Sequence, residues 1–366
     1  MDKFKALLEC GQSIWLDYIQ RSLISSGELK GMVDKGLRGL TSNPSIFQSA
    51  IANSSDYDSV ISEILKAEPS ISTQDLYERI AIEDIRNAAD ILRPAYEESN
   101  GADGFVSFEV SPHLAYDTDS TISEARRLWD AISRPNLMIK VPATPQGVLA
   151  TEALIAEGIN VNATLMFSTD HYEGVAHAYI RGLERNPSPV ATASVASFFV
   201  SRVDTSVDAA LEDIGTPEAL ALHGKAAVAN AKMAYRRFTE IFYGREFDDL
   251  REKGATVQRV LWGSTSTKNP TYSDVLYVDE LIGRDTVNTV PPATLKAFLD
   301  HGQVRPTLLE GLDKAERDLA HMRKLGIDVD AVTEQLQKDG VVAFATAYDG
   351  LLASLEQKRS SLILRV

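Results

Sequence analysis

The chain has 366 residues, of which 44% are hydrophobic and 24% charged, and this composition is typical of a globular protein, which excludes a disordered chain. Its 37 basic and 52 acidic residues leave a net charge of −15, which argues against general binding of nucleic acid or anionic membranes. The single cysteine, Cys10, excludes an intrachain disulfide and a cysteine metal cluster, and the six scattered histidines lack metal-site spacing.

Eight short apolar runs alternate with helical patterns along the chain and predict strands. The helical patterns cover residues 57–96, with a loop at 69–73, then 121–133, 147–157, 168–184 and 217–242, and Gly27 and Gly31 mark turns before the second run. The predicted strands are residues 13–18, 39–47, 104–110, 136–144, 159–167, 190–200, 259–267 and 285–290.

This alternation predicts an α/β protein, a (β/α)8 TIM barrel with additional helices. Repeated strand–helix units imply parallel strands with right-handed crossovers, and eight units close a barrel. The alternative is an open doubly wound sheet, but no Gly-rich dinucleotide or phosphate-loop motif follows any run. We expect residues 1–366 to form one barrel domain with helical extensions at both ends, the C-terminal one being a helix over 327–358.

The charged first residues do not fit a signal peptide, and no segment approaches 18 consecutive apolar residues. We therefore expect a cytoplasmic protein without a membrane partner.

The fourth run places Lys140 inside an apolar strand that Pro142 would end. Burial of a charged amine is unfavourable, so Lys140 must pair with a carboxylate or lose its proton. A neutral lysine amine attacks carbonyl carbon and forms a Schiff base. The alternative is structural, because Lys140 could be a buried ion-pair partner or extend its amine to the surface.

Polar residues lie at or just past the end of every predicted strand, which is where (β/α)8 barrels hold their active sites. Singly, each has a structural explanation: Asn43 as a turn residue, Asp17 as a helix cap, and Glu109 as an ion-pair partner. Together they favour a polar pocket, because several lie inside apolar runs. They are Asp17, Thr41, Ser42, Asn43, Glu109, Lys140, Thr144, Asn162, Thr164, Ser197, Arg202, Asp204, Ser264, Ser266, Lys268, Asn288 and Thr289.

Seven short motifs surround these residues. They are Ser-Ile-Trp-Leu-Asp17, Leu-Thr-Ser-Asn43-Pro-Ser, Val-Ser-Phe-Glu109-Val-Ser-Pro, Ile-Lys140-Val-Pro-Ala-Thr, Asn-Val-Asn162-Ala-Thr164-Leu-Met-Phe-Ser, Ser197-Phe-Phe199-Val-Ser-Arg202-Val-Asp and Trp-Gly-Ser-Thr-Ser266-Thr-Lys268-Asn-Pro. In this order, from residue 11 to about 358, they resemble the transaldolases, class I Schiff-base enzymes of the pentose phosphate pathway. Trp15 in the first motif, the last motif and the eighth-run Thr-Val-Asn-Thr-Val-Pro-Pro are similar to the longer bacterial subgroup.

The resemblance implies a role for each matching residue. Lys140 forms the Schiff base with the C2 carbonyl of a ketose phosphate, and Asp17 accepts the C4 hydroxyl proton as the C3–C4 bond breaks. Glu109 and Thr164 move protons through a bound water. The substrate-binding residues are Asn43, Asn162 and Ser197 at the dihydroxyacetone unit, Phe199 in the same pocket, and Arg202, Ser266 and Lys268 at the phosphate, with Ser264 as the alternative to Ser266.

Three functions are compatible with this resemblance. The first is transfer of a dihydroxyacetone unit from sedoheptulose 7-phosphate or fructose 6-phosphate to glyceraldehyde 3-phosphate or erythrose 4-phosphate. The second is fructose-6-phosphate aldolase activity, which releases free dihydroxyacetone; that branch has glutamine where this chain has Glu109. The third is a non-catalytic sugar-phosphate-binding barrel, which would need a gap among the catalytic residues. We expect sugar-phosphate substrates, no cofactor or metal, and a monomer or small homo-oligomer.

Overall fold

A computed structural model describes residues 2–363. Eight parallel strands pair in chain order, and the last pairs with the first, so the sheet closes into a barrel. The predicted (β/α)8 barrel is therefore confirmed and the open sheet is excluded. The strands are β1 (Gln12–Asp17), β2 (Gly39–Thr41), β3 (Phe105–Glu109), β4 (Leu137–Pro142), β5 (Val161–Met166), β6 (Ser194–Phe199), β7 (Arg259–Gly263) and β8 (Thr286–Val290).

Seventeen α-helices occur within residues 2–363, and at least one of them connects each strand to the next. None of them is both long and apolar enough to cross a membrane. They are α1 (Lys3–Glu9), α2 (Arg21–Ser25), α3 (Glu28–Lys35), α4 (Pro44–Ala52), α5 (Asp58–Ala67), α6 (Thr73–Glu98), α7 (Thr118–Ile132), α8 (Pro145–Ala156), α9 (Thr169–Arg185), α10 (Ser201–Ile214), α11 (Pro217–Leu220), α12 (Ala226–Phe242), α13 (Asp248–Glu252), α14 (Leu276–Asp279), α15 (Pro292–His301), α16 (Leu312–Lys324) and α17 (Val329–Ile363).

Closure of the barrel depends mainly on β8. Five residue pairs join β1 to β8, from Gln12 opposite Thr286 to Leu16 opposite Val290. Only Leu16 and Asp17 pair with β2. The Gln12 amide also donates to the Thr286 hydroxyl at 2.9 Å, which ties the two ends of the sheet together by side chains as well.

Alternate strand residues point into the barrel, and the middle of its interior is apolar. Six inward side chains form a separate buried cluster: Trp15, Phe105, Met138, Val195, Leu261 and Val287. Gly39 leaves room for the Trp15 indole, because a Cβ there would lie only 2.4 Å from a ring atom. This apolar layer fills the barrel, so a polar pocket can open only beyond it.

The amino-terminal end of the barrel is closed by a buried polar network around Asp103. The Asp103 carboxylate accepts hydrogen bonds from the Trp15 indole N–H at 2.9 Å and from the Ser13 hydroxyl. Arg259, the first residue of β7, lies 3.3 Å from the same carboxylate and donates to the Ser13 hydroxyl at 2.6 Å. The charges are thus paired and hydrogen-bonded, as burial requires.

Some predicted element boundaries were wrong. The strand predicted over 39–47 is much shorter in the structure, where β2 ends at Thr41. The helix α4 begins at Pro44, a residue suited to the first helical position. The predicted strand 190–200 begins with a 3-10 turn at Pro189–Ala191, and β6 starts only at Ser194. Gly27 does mark a turn, with φ of 81°, but Gly31 lies inside α3.

The predicted helix 217–242 was also wrong, since it is two helices, α11 and α12. The chain turns between them at Gly224, whose φ is 67°. A left-handed residue of this kind ends a helix rather than continuing one. The helices α4, α10, α13, α14, α15 and α16 were not predicted, whereas the predicted C-terminal helix is confirmed as α17.

Candidate active site

A cavity of about 290 Å³ opens at the carboxyl ends of the strands. Of the eleven predicted site residues, nine line it, and Glu109 and Asn162 lie beside these nine. Phe344 of α17 also lines the cavity, although no sequence pattern indicated it. The predicted residues that line it are Asp17, Asn43, Lys140, Thr164, Ser197, Phe199, Arg202, Ser266 and Lys268. Ser264, the alternative to Ser266 at the phosphate, lines it as well.

Lys140 is buried on β4, with a side chain 6% exposed. Its Nζ donates to the carbonyl of Ser42 at 3.2 Å and lies 3.9 Å from a Glu109 carboxylate oxygen. The amine does not extend to the surface, which excludes one structural alternative. Its distance from Glu109 exceeds that of a hydrogen bond, so the amine is held at the pocket wall without being locked to a carboxylate.

Glu109 is a buried carboxyl group whose two oxygens have no hydrogen-bond partner among residues 2–363. Burial raises its pKa to about 7; the Lys140 charge opposes this shift and the Asp17 charge adds to it. A carboxyl group with a pKa near neutrality can both take and give a proton at neutral pH, which suits an acid–base catalyst.

Asp17 ends β1 and is oriented by Thr41. The Thr41 hydroxyl donates to Asp17 Oδ1 at 2.7 Å and lies 2.7 Å from the hydroxyl of Thr289. Burial raises the pKa of Asp17, while the Lys140 charge and the Thr41 hydrogen bond oppose the shift. The alternative of a helix cap is wrong, because α2 begins after Gln20 and has no side-chain cap.

Asn162 and Ser197 form a hydrogen-bonded row across neighbouring strands. The Ser197 hydroxyl donates to Asn162 Oδ1 at 2.6 Å, and the Asn162 amide donates to the Ser107 hydroxyl at 3.0 Å. All three side chains are buried. The row therefore holds the Asn162 amide in one orientation at the floor of the pocket.

Thr164 precedes a distortion of β5. The register with β6 shifts between Ala163 and Met166, and Leu165 has φ of 63°, a left-handed conformation that is strained for this residue. The Thr164 hydroxyl is buried and has no hydrogen-bond partner among the described residues. A bulge beside an active site changes the direction of a nearby side chain, and here Thr164, next to the distortion, lines the pocket.

One end of the pocket is cationic. Arg202, in the first turn of α10, lies 5.9 Å from the Phe199 ring centroid, and burial alone lowers its pKa, with no carboxylate contributing. The exposed Lys268 donates to the Ser266 hydroxyl at 2.8 Å. The Ser264 hydroxyl lies 2.9 Å from that of Ser201, so the loop after β7 is attached to the start of α10.

Some strand-end polar residues serve the fold and do not line the pocket, and Thr144 and Asp204 are examples. Thr144 caps α8, accepting from the Gly147 N–H at 3.0 Å. Asp204 accepts from the Tyr277 hydroxyl and the Ala227 N–H, each at 2.7 Å. Asn43 has both functions, because its Oδ1 caps α4 at Ile46 while the residue lines the pocket.

Within residues 2–363, no group of three or more His, Cys, Asp or Glu side chains is placed to hold a metal ion. The groups available for chemistry are an amine, two carboxyl groups, hydroxyls and two cationic side chains. Their convergence at the carboxyl ends of a closed parallel barrel is the arrangement found in (β/α)8-barrel enzymes.

Comparison with known proteins identifies the family within that class. Residues 14–355 match the family described as Transaldolase/Fructose-6-phosphate aldolase. The chain belongs to this family, so the resemblance and the enzyme class predicted from the sequence are confirmed.

Several curated relatives match over nearly their full length. A transaldolase of Thiobacillus denitrificans is 49% identical, over 97% of this chain and 100% of its own. A protein named transaldolase 2 from Nostoc punctiforme is 47% identical over 95% of both chains. A transaldolase of Mycobacterium ulcerans is 45% identical, over 98% of this chain and 97% of its own.

Proposed function

We propose that the protein transfers a dihydroxyacetone unit from a ketose phosphate to an aldose phosphate through a Schiff base on Lys140. The observation that carries this proposal is a buried Lys140 amine 3.9 Å from the Glu109 carboxyl group and in the same cavity as Asp17, each on a different strand. The name shared by the relatives supports transfer, as does glutamate at position 109.

Schiff-base formation uses Glu109 and Thr164. The neutral Lys140 amine attacks the C2 carbonyl of the ketose, and the carbinolamine then loses water to give the imine. Each step moves a proton. The raised pKa of Glu109, about 7, and the free Thr164 hydroxyl support a relay by these two groups.

Carbon–carbon cleavage uses Asp17. The protonated imine accepts the electron pair left at C3 when the C3–C4 bond breaks, and the C4 hydroxyl proton must go to a base other than the occupied amine. Asp17 is on a different strand from Lys140 and its carboxylate is oriented by Thr41, which supports this role. The aldose phosphate leaves, and reversal with a second aldehyde completes transfer.

Phosphate recognition is proposed for Arg202, Ser266 and Lys268, with Ser264 in support. Arg202 lies in the first turn of α10, where the positive end of the helix dipole favours an anion. With a net charge of −15, the protein needs such a local cationic site to hold an anion. Binding at the phosphate orients the distant reacting carbons.

Sugar-phosphate substrates follow from this proposal, and several other expectations stay predictions. These are a cytoplasmic location, a monomer or small homo-oligomer, a single barrel domain over residues 1–366, and no binding of nucleic acid, which the acidic net charge supports.

A coupled assay tests transfer against release. With fructose 6-phosphate and erythrose 4-phosphate, we expect sedoheptulose 7-phosphate and glyceraldehyde 3-phosphate to form in amounts equal to the fructose 6-phosphate consumed, with little free dihydroxyacetone. Without an acceptor, product formation is expected to stop after about one turnover per site, because the retained unit has no aldehyde to attack. Continuous release of dihydroxyacetone would instead indicate the aldolase activity, and no consumption at all the non-catalytic barrel.

Replacement of Glu109 by glutamine tests the proton relay. We expect the rate of adduct formation to fall by about 10²–10⁴, the usual contribution of a positioned acid or base. In the unsubstituted protein this rate should change with pH around the Glu109 pKa of about 7, and the change should be absent from Glu109→Gln. Rapid quenching with borohydride at pH values from 5 to 9 measures the rate of adduct formation and its dependence on pH in both proteins.

A stability measurement is the control for this variant. The folded pKa of Glu109 lies above its ordinary value of 4.5, so the folded state holds a proton that the unfolded state loses between these values. The contribution of Glu109 to the free energy of unfolding therefore falls as pH rises from 4.5 to about 7, and it is lowest above pH 7. Glu109→Gln is expected to remove this fall. A variant that unfolds more easily than the unsubstituted protein at pH 8 would contradict the assignment.

A further inference from the structure

Helix α17 crosses the mouth of the barrel and is attached to two strand ends. The Gln337 amide donates to the carbonyl of Ala143, just after β4, at 2.9 Å, and to that of Leu165, at the distortion of β5, at 3.0 Å. Gly340 lies against the Leu165 side chain, where a Cβ would be 3.1 Å from its methyl carbon. The helix is thus fixed at the strands that carry Lys140 and Thr164.

Phe344 follows Gln337 by seven positions, two helical turns, and so lies on the same face of α17. Its ring centroid is 5.6 Å from the Lys140 Nζ and 6.5 Å from the Phe199 ring centroid. Phe199 in turn lies 5.3 Å from Phe167. These aromatic rings form an apolar cover above the reactive amine, while the polar and cationic groups lie on the other walls.

The proposed transfer reaction requires that water be kept from the retained dihydroxyacetone unit. Release would occur if the carbanion carbon took a proton, water added to the imine carbon, and the carbon–nitrogen bond broke to give free dihydroxyacetone and the lysine amine. Transfer instead forms a carbon–carbon bond from the same carbon to an aldehyde, and only then does water hydrolyse the imine of the longer ketose to free the product and the lysine amine. The two outcomes differ by access of water to one covalent intermediate.

We propose that Phe344 of α17 excludes water from the Lys140 adduct and thereby sets the ratio of release to transfer. This inference rests on the proposed Schiff-base function. The ring lies close enough to the nitrogen position to cover the imine and to stabilise its positive charge through the aromatic face. Phe344 is therefore a specificity-determining residue, since it moves no proton itself.

The test is the lifetime of the adduct in variants of Phe344. Each protein is loaded with fructose 6-phosphate, the released glyceraldehyde 3-phosphate is removed, and borohydride is added after increasing delays while free dihydroxyacetone is measured. We expect Phe344→Ala to raise the ratio of release to transfer by about tenfold, which needs a barrier change of only ~1.4 kcal/mol. Phe344→Leu, which keeps an apolar cover, should raise it by less. Val342→Ala, on the same helix but 65% exposed, is the matched control and should leave it unchanged.

The outcomes separate this inference from the function on which it rests. An unsubstituted protein that forms no reducible adduct would overturn the proposed function and this inference together. An adduct that forms normally but is lost from Phe344→Ala at the unsubstituted rate would overturn this inference alone, as would an equal change in Val342→Ala. If Phe344→Ala does not fold, Phe344→Gln decides, because a polar side chain of similar length should also raise release.

Discussion

Lys140→Met is expected to abolish both turnover and the reducible adduct. Methionine is unbranched and of similar length, so it fills the buried position without an amine and without an unpaired charge. Enzymes accelerate reactions by at least ~10⁶, and loss of the covalent nucleophile should lower kcat by about 10⁴ or more. The measurement is borohydride reduction with fructose 6-phosphate, followed by peptide mass analysis. The unsubstituted protein should show added mass on Lys140 alone, and Lys140→Met should show none.

Lys232→Met is the matched control. Lys232 is also buried, with a side chain 7% exposed, and its Nζ donates to the carbonyl of Glu310 at 2.8 Å, away from the pocket. This variant should keep the adduct on Lys140. An active Lys140→Met protein, or an adduct on Lys232, would disprove the assigned nucleophile.

Asp17→Asn is expected to separate trapping from cleavage. The asparagine oxygen can still accept the Thr41 hydrogen bond, so the pocket geometry is kept while the base is removed. The adduct with fructose 6-phosphate should still form, because Lys140 and Glu109 are intact. Release of glyceraldehyde 3-phosphate should fall by about 10²–10⁴, the value of a general base. Single-turnover quenching measures adduct and aldose in one sample.

Thr41→Val serves as the companion variant, since it leaves the Asp17 carboxylate but removes the hydroxyl that orients it. A smaller loss of cleavage is expected than in Asp17→Asn. If Asp17→Asn folds normally yet no longer forms the adduct, Asp17 acts before cleavage and its assignment as the cleavage base is wrong.

The barrel could be predicted from the sequence because its signals are local. Each strand is a short apolar run, and each is followed by a helical pattern, so order and parallel direction follow without long-range information. Most of the site follows too, since strand ends converge in a barrel. Thr144 shows the limit of this rule. It precedes Pro145, and a threonine before a proline predicts a helix cap, which it is for α8. Its place at a strand end had suggested a pocket residue instead.

The remainder of the site depends on tertiary contacts that leave no local pattern. Phe344 resembles any apolar residue of a helix, and only the attachment of α17 through Gln337 places it over Lys140. The conformation of Leu165 is likewise hidden, because an apolar residue in a β-rich run predicts regular strand geometry. The raised pKa of Glu109 depends on its burial without a hydrogen-bond donor, which its neighbours in sequence do not specify.

The dependence of β1 on β8 has a consequence for synthesis of the protein on the ribosome. Gln12 and its partner Thr286 are 274 residues apart, and at about 5–20 residues per second β1 emerges roughly 14 to 55 seconds before β8. During that interval most of one edge of β1 has no partner strand, and an unpaired edge is a site of association with other chains. The same delay means that the pocket, which needs β8 and then α17, is completed last. Nascent chains should therefore be the species that most need chaperone protection.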